Sequence, residues 1–595
     1  SDHRQKIGSL RAINPYNPFL NMWASIKRQP RDQDGILAET QALTRQQAIR
    51  LATINNAYLL FMESRVGSLE PGKLADMIQV DRDLLTCKLD DLRNTVIVTT
   101  ADAGADTLEQ RNAGGITVIK AAVESLSGYL GTFRLRLVAD KGDTLISEVT
   151  QGRGLFDLVL DLGREPLINS EIPPPGYFTA RDEAALQQAL SEIPELVGEF
   201  EKPKFFNYDA GICAHGRSGM TACSRCIDAC PTDAIHSLGD TIEVDPGLCQ
   251  GAGSCATACP SGAISYSYPR LGDSLERLRA LLKAYREQAG HTPVLLFHDG
   301  MEGLQMVSDV AAQLPGQVLP VEVEEIGSIG MDTWLAALAY GASAVVLLGH
   351  AQVPRSVDRE IQVQLAIAHA LLAGMGYDAG LLRYTHHDSS QLLDTLSTAE
   401  LPERAAAGFA GMDDKRTVIR FAVDHLFAVA PGRTRPLVTL PTAAPFGEVL
   451  LDQQRCTLCM ACVSQCPASA LSAGDESPQL GFIEANCVQC GLCCRTCPED
   501  AISIAPRYLY DFPTRNTRRV LYEEEPFACI RCGKPFATRS AIENILGKMQ
   551  GHPMFQGDAL KRIKMCEDCR VQDIYGNDDD DAHIRVEPAP GSKLS

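Results

Sequence analysis

The 595-residue chain lacks the features that would commit it to several common functions. No apolar run is long enough to cross a membrane: the longest, Trp334 to Gly349, falls short of the ~18 residues needed and carries Gly341 and Ser343 inside it. No secretory leader is visible, so a cytoplasmic location is expected. Positive charge is not in surplus. The 55 Lys and Arg against 75 Asp and Glu leave a formal charge of −20, which argues against a nucleic-acid partner. No Gly-x-Gly-x-x-Gly or Walker loop backs nucleotide or flavin binding. Cysteine is nearly missing from the first 210 residues, where Cys87 stands alone, and it is absent from 271–440.

What is present is concentrated. Twenty of the 21 cysteines lie beyond residue 210 in groups spaced by two and three residues. A disulfide scaffold spreads cysteines through a small secreted domain, whereas this spacing reads as metal ligation. The 45% apolar content is ordinary for a globular protein, and the length suggests about four domains at ~150 residues each.

The clearest group is CTLCMACVSQCP followed by CVQCGLCCRTCP. A C-x2-C-x2-C-x3-C-P half delivers three thiolates from one backbone loop, while the fourth cysteine reaches the other cluster. This assigns one 4Fe–4S cluster to Cys456, Cys459, Cys462 and Cys497, and a second to Cys487, Cys490, Cys493 and Cys466. Cys494 is left over as packing. Over Phe446 to Pro506 the chain resembles the bacterial two-cluster ferredoxins.

The pattern recurs upstream with two departures. In GICAHGRSGMTACSRCIDACP the position two residues plus one before Cys223 is Met220, but Cys213 lies beyond a nine-residue loop made bendable by Gly216 and Gly219. The expected 4Fe–4S ligands are therefore Cys213, Cys223, Cys226 and Cys259, with His215 a solvated loop residue or an alternative ligand. In CQGAGSCATACP the second cysteine is replaced by Ala252. Cys249, Cys255 and Cys230 then hold a 3Fe–4S cluster, a 4Fe–4S cluster with one differently ligated iron, or nothing. The count is three to four clusters, and a line of clusters suits a relay of electrons better than an isolated carrier.

Cys529, Cys532, Cys566 and Cys569 form two C-x2-C knuckles and read as a structural zinc site, with a rubredoxin-like iron as the alternative. A helix is expected over Ser540 to Met549. The cysteine-free middle alternates helical and strand patterns, which predicts a parallel sheet covered by helices on both faces. In its first helix Leu275, Leu278, Leu281 and Leu282 are expected to share the apolar face. The stretch ASAVVLLGHAQVPRSVDREIQVQLAIAHALLAGMGYDAGLLRY is similar to the small delta subunit of methyl-viologen-reducing hydrogenases. The cluster cysteines of that family are absent, so no metal site is carried over. His350, Arg355, His386 and His387 are candidate polar residues at strand ends.

The start reads differently. NPYNPFLNMWASIKRQ, LTRQQAIRLATINNAYLLF and VGSLEPGKLADMIQVDRD resemble the C-terminal end of amidohydrolases over Ser1 to Asn94. The resemblance implies an active-site aspartate at Asp2, but the histidine-bearing barrel is expected upstream of it. A lone carboxylate cannot hold a metal or activate water, so this segment is expected to be catalytically silent by itself, and either poorly ordered or packed on a neighbour. Strands are expected at VIVTT, GITVIKA and FDLVLDLG, a stiff linker at Pro173 to Tyr177, and a helix over DEAALQQALSEIPELVGEF. From about residue 124 the lines GYLGTFRLRL, FDLVLDLGREPLINSEIPPPGY, LVGEFEKPKFF, ICAHGRSG and CGKPFATRS resemble large bacterial ferredoxin-type proteins. That resemblance implies a partner oxidoreductase of the formate-dehydrogenase type.

The expected architecture is multidomain α+β. An amidohydrolase-like segment (1–94) precedes an α/β connecting domain (95–205), a ferredoxin-like unit (206–270), an α/β parallel-sheet domain (271–440), a second ferredoxin-like unit (441–510), a zinc-ribbon-like domain (511–575) and an acidic tail (576–595). The expected function is iron–sulfur electron transfer to or from a partner oxidoreductase, formate-dehydrogenase-like or heterodisulfide-reductase-like. The alternatives are an amidohydrolase fused to a redox module and a scaffold whose clusters only hold the fold.

Overall fold

The computed structural model describes residues 123–138, 154–163, 165–196, 200–289, 292–385, 389–396, 404–432, 435–475 and 477–575, with short segments at 14–15, 26–27, 41–50, 97–101, 109–113 and 116–120 and single residues at 143 and 146. Most of the amidohydrolase-like segment, Asp2, Cys87, His386, His387 and the acidic tail lie outside the described residues. Two described pieces of that segment are a helix, Arg45–Arg50, and a strand, Asn14–Pro15, that pairs antiparallel with Phe200–Glu201.

The middle of the chain folds as its alternation dictates. Four strands lie side by side in the order Val318–Val323, Val294–Asp299, Ala344–Leu348 and Leu382–Thr385, all parallel. The two central strands, VLLFHD and AVVLL, are buried at every residue, as expected for strands covered on both faces. One face packs on helices Leu271–Ala289, Met331–Ala339 and Arg355–Gly374, with Trp334 fully enclosed. The other packs on Glu302–Val310 and Ser389–Leu396. In the first helix Leu275, Leu278 and Leu282 are buried, but Leu281 is 37% exposed. At 100° per residue it is rotated off the stripe that the other three define.

The larger of these cores does not stop at the sheet. It includes Ala252 from the first cysteine-rich unit and Phe446, Tyr508 and Tyr510 from the second, so the three units share one apolar interior. Phe427 stacks on Tyr510 at 4.7 Å between ring centres, and the Tyr510 hydroxyl donates to the Leu371 carbonyl at 2.6 Å.

Each cysteine-rich unit is a pair of short antiparallel ribbons around two loop-helix segments. In the first, Phe206–Tyr208 pairs with Ile264–Tyr266 and Ile235–Ser237 with Ile242–Val244. In the second, Gly447–Leu451 pairs with Ile502–Leu509 and Leu471–Ala473 with Gln479–Phe482. The strand Arg519–Glu523, which sequence places with the C-terminal segment, adds to Gln479–Phe482 and widens that ribbon to three strands. Beyond it, the C-terminal segment is one hairpin, Pro526–Ala528 with Pro535–Thr538, and three helices, Arg539–Met549, Asp558–Ile563 and Glu567–Tyr575.

The connecting region is a five-stranded sheet in the order Glu109–Ala113, Ile116–Lys120, Ile97–Ala101, Leu158–Asp161 and Tyr177–Thr179. Its expected long helix is shorter: Glu183–Glu192 continues only as a 3-10 turn to Leu196, because Pro194 cannot donate to the helical ladder. Asp161 is fully buried there. Burial pushes its carboxyl up, but the Tyr177 hydroxyl at 2.5 Å, the Gly163 and Leu167 amides and the Arg181 charge outweigh this and hold it below its ordinary 3.8. Tyr177→Phe should cost about 1.5–3 kcal/mol, the worth of a hydrogen bond to a charged group. The network's contribution is complete at neutral pH. It is lost as pH falls below 3.8 and through the depressed folded value, so the wild-type and Tyr177→Phe denaturation midpoints should converge in acid.

Candidate metal centres

The backbone repeats one device at the cysteine loops. Two residues after Cys456, Cys487 and Cys249 stand Leu458, Gln489 and Gly251, all at positive φ (48°, 55° and 80°). Two residues further stand Met460, Gly491 and Gly253, at 59°, 81° and 75°. Left-handed residues at this spacing curl the loop into a nest whose amides face inward. The amides of Leu458, Gln489 and Gly251 donate to the sulfurs of Cys456, Cys487 and Cys249. Three of the six positions are occupied by Leu, Gln and Met, which tolerate this conformation at a cost that the surrounding structure must offset. Gly253 has a second reason to be glycine: a Cβ there would sit 2.4 Å from the Ser328 Cα.

A cavity of about 340 Å³, mouth included, is lined by Cys456, Cys459, Cys462 and Cys497 with Leu480 and Ile502. A second of about 300 Å³ is lined by Cys213, Cys223, Cys226 and Cys259 with Tyr208 and His215. Cys466, Cys487, Cys490 and Cys493 form a third group. Cys230, Cys249 and Cys255 form a fourth, with buried Ala252 in the loop where the second cysteine of the repeat would stand. The nine-residue loop after Cys213 folds as a small hairpin, Gly216–Arg217 with Met220–Thr221, which returns the chain to Cys223.

Burial holds several of these cysteines as thiols. Burial, with repulsion from neighbouring sulfurs, pushes Cys462 and Cys490 up to about 12 and raises Cys223, Cys226, Cys249, Cys255, Cys456 and Cys487. Thiolates crowded in such surroundings need a cationic centre among them. The amide donors to sulfur, including Ala470 to Cys466 at 3.2 Å and Ala501 to Cys497 at 3.3 Å, are what a bound iron–sulfur group requires around its thiolates. The four-cysteine groups fit that cofactor, and the three-cysteine group fits it with one corner short.

Cys529, Cys532, Cys566 and Cys569 converge more tightly, all four sulfurs within 4.8 Å of one another. Burial acts upward on Cys529, but the Cys566, Cys532 and Arg531 amides outweigh it and bring its thiol down to about 6. Burial and neighbouring thiols push Cys569 up to about 12. One thiol ready to ionise in a close tetrad of sulfurs is a donor set for a single metal such as zinc.

Several residues behave differently from their sequence reading. His215 is buried, not solvated. Its Nδ1 lies 2.6 Å from the Cys223 carbonyl and its Nε2 2.7 Å from the Ser237 hydroxyl, so both ring nitrogens are engaged and neither is free to ligate. His350 Nε2 lies 2.7 Å from Asp299 Oδ2 across adjacent strand ends, while Arg355 is exposed at the start of its helix. Cys494 interacts with Cys493, and that hydrogen bond, against burial, lowers its thiol to about 7. Three cations near the sulfurs, half-buried Lys202 and buried Lys415 and Arg416, carry no sequence signal. Lys202 donates to the Gly247 carbonyl at 2.6 Å beside Cys249, and burial lowers its amine to about 8 against the pull of Cys249 and Asp245. Lys415 and Arg416 reach the backbone next to Cys259 and Cys487. Only their tertiary position marks them.

Comparison with known proteins finds likenesses in three segments. Residues 206–263 match the 4Fe-4S dicluster domain, 449–472 the 4Fe-4S binding domain, and 11–105 the amidohydrolase family. The chain is 44% identical over 45 residues to hydrogenase-4 component A of Escherichia coli, which is 8% of this chain and 22% of that protein. It is 44% identical over 39 residues to a ferredoxin of Alicyclobacillus acidocaldarius, 7% of this chain and 50% of the ferredoxin. It is 31% identical over 97 residues to the N-substituted formamide deformylase of Arthrobacter pascens, 16% of this chain and 18% of that protein. The chain thus spans half or less of each of these relatives. It carries two 4Fe–4S ferredoxin domains behind an amidohydrolase-like segment, and no helix among the described residues is long and apolar enough to cross a membrane.

Proposed function

We propose that this chain is a multi-centre electron relay serving a partner oxidoreductase. The observation that carries the reading is the convergence of two cysteine quartets around cavities, each at a ferredoxin domain and with amides aimed at sulfur. The proposed ligand sets are Cys456, Cys459, Cys462 and Cys497; Cys487, Cys490, Cys493 and Cys466; and Cys213, Cys223, Cys226 and Cys259. Cys249, Cys255 and Cys230 form a fourth, three-cysteine set. A cluster held at such a set supplies one-electron chemistry at a potential fixed by its surroundings. The protein's part is to hold the thiolates, stabilise them with amide dipoles and exclude water through residues such as Leu480, Ile502 and Ile264. Cys529, Cys532, Cys566 and Cys569 hold zinc, which closes the C-terminal segment.

The partner proposed is a hydrogenase-type or formate-dehydrogenase-type enzyme in the cytoplasm, supported by the likeness to a hydrogenase component and a ferredoxin. The N-terminal segment contributes no hydrolysis by itself: the matched stretch, 11–105, contains no histidine to ligate a hydrolytic metal. Anaerobic purification, iron and sulfide analysis, and reversible bleaching with dithionite test the reading. A colourless protein, or one whose iron is not reducible, would sink it. Isolation of the bound oxidoreductase from native extract tests the partner.

The three-cysteine set yields a sharper prediction. Ala252→Cys should add about one iron per chain and replace a three-iron electron paramagnetic resonance signal by a four-iron one. An unchanged spectrum and iron content would count against the register placed on Cys249, Cys255 and Cys230.

A further inference from the structure

The two cysteine-rich units are far apart in sequence but meet in space. The short helix Leu492–Thr496 of the second packs on Met220–Thr221 of the first. Across this contact the Arg495 guanidinium donates to the Thr221 carbonyl, and the Gln465 amide donates to the Ser218 hydroxyl at 2.9 Å. Cys223 of the first unit lies close enough to Cys490 of the second to act on its thiol. The facing sets are therefore Cys213/Cys223/Cys226/Cys259 and Cys466/Cys487/Cys490/Cys493.

Behind the contact runs helix Lys415–Ala428, whose first two residues are buried cations. Lys415 Nζ donates to the carbonyls of Ala256, Thr257 and Cys259, closing the end of the helix that leads to Cys259. Arg416 bridges the units. One guanidinium nitrogen donates to Pro260 (3.1 Å) and Pro445 (2.9 Å), the other to Ala485 (3.1 Å) and Cys487 (2.9 Å). Its guanidinium also sits 4.9 Å above the Phe446 ring. Arg225, next to Cys223 and Cys226, joins the same contact through the Ala443 carbonyl and Glu360. Two sulfur-rich sites that each gain negative charge on reduction are thus separated by protein that holds fixed positive charge, tied to a carbonyl beside one ligand of each.

We propose, on the basis of the relay reading above, that Lys415 and Arg416 are the positioning residues of a cationic seam that couples these two sites across the units. The seam lets both sites carry added negative charge at short range and fixes their separation. A planar fork that serves four carbonyls suits this task, and a single ammonium cannot bridge them.

The test uses the full chain, prepared anaerobically, as wild type, Arg416→Met and Arg416→Lys. Iron content, midpoint potentials and spin–spin broadening of the electron paramagnetic resonance signals are followed through stepwise reduction. In Arg416→Met the midpoints of the two flanking sites should move to more negative values and the broadening between units should fall. The Cys456/Cys459/Cys462/Cys497 signal should stay in place. Arg416→Lys should recover the potentials in part but not the broadening. Loss of iron confined to the two flanking sites also supports the seam. Wild-type potentials and broadening in a variant with full iron overturn it, as does indiscriminate loss of iron from every site in both variants. Failure of the relay reading itself looks different: wild-type protein without reducible iron.

Discussion

Cys462→Ala should remove about four irons per chain and abolish one reducible signal, leaving the other centres loaded. Cys462 is buried in the cavity that also receives Cys456, Cys459 and Cys497. Burial and the neighbouring sulfurs push its thiol up to about 12, so the side chain is suited to a metal and poorly suited to stand as a free thiolate. Alanine leaves three ligands around a cavity that opens to solvent on the side of exposed Cys459, where water reaches a cluster one ligand short. Iron analysis checks the loss, and electron paramagnetic resonance identifies which signal has gone. The neighbouring set shares this unit's core, in which Cys462 and Cys487 both lie, so partial loss there is expected on warming. Retention of all the iron by the variant would refute the ligand set.

Cys566→Ser should release the metal at the C-terminal tetrad and unfold the segment from about residue 526 to 575. The core of that segment is little more than Cys529, Met565, Cys566 and Cys569, with Phe536 packed against them. A core so small cannot hold three helices without a staple, and structural zinc supplies about 10–16 kcal/mol at neutral pH in small domains. Metal binding here must displace protons, least from Cys529 at about 6 and most from Cys569 at about 12, so affinity should fall as pH falls. Metal analysis and limited proteolysis check both statements, and a protease-resistant, metal-free variant would contradict them. The consequence extends to the second ferredoxin unit. Thr538 donates to the Thr457 carbonyl at 2.8 Å and Lys548 pairs with Glu499, so unfolding this segment should uncover the Cys456 loop and speed its oxidative loss of iron.

The chemistry of this protein was written in spacing. Cysteines that share a loop of a few residues are brought together by local sequence, so spacing was enough to place the cysteine groups and the alternating strands and helices of 271–440, and to show that 11–105 holds no histidine. Ala252 and the long loop after Cys213 were legible for the same reason. Departures that depend on rotation or on contact were not. Leu281 turns out of the apolar stripe, Pro194 cuts a helix short, and His215 is buried between Cys223 and Ser237. The tertiary structure alone decided that two units two hundred residues apart share one core, and that Lys415 and Arg416 stand between them. A buried cation is recognised by the carbonyls it satisfies, and those carbonyls come from segments that only folding brings together.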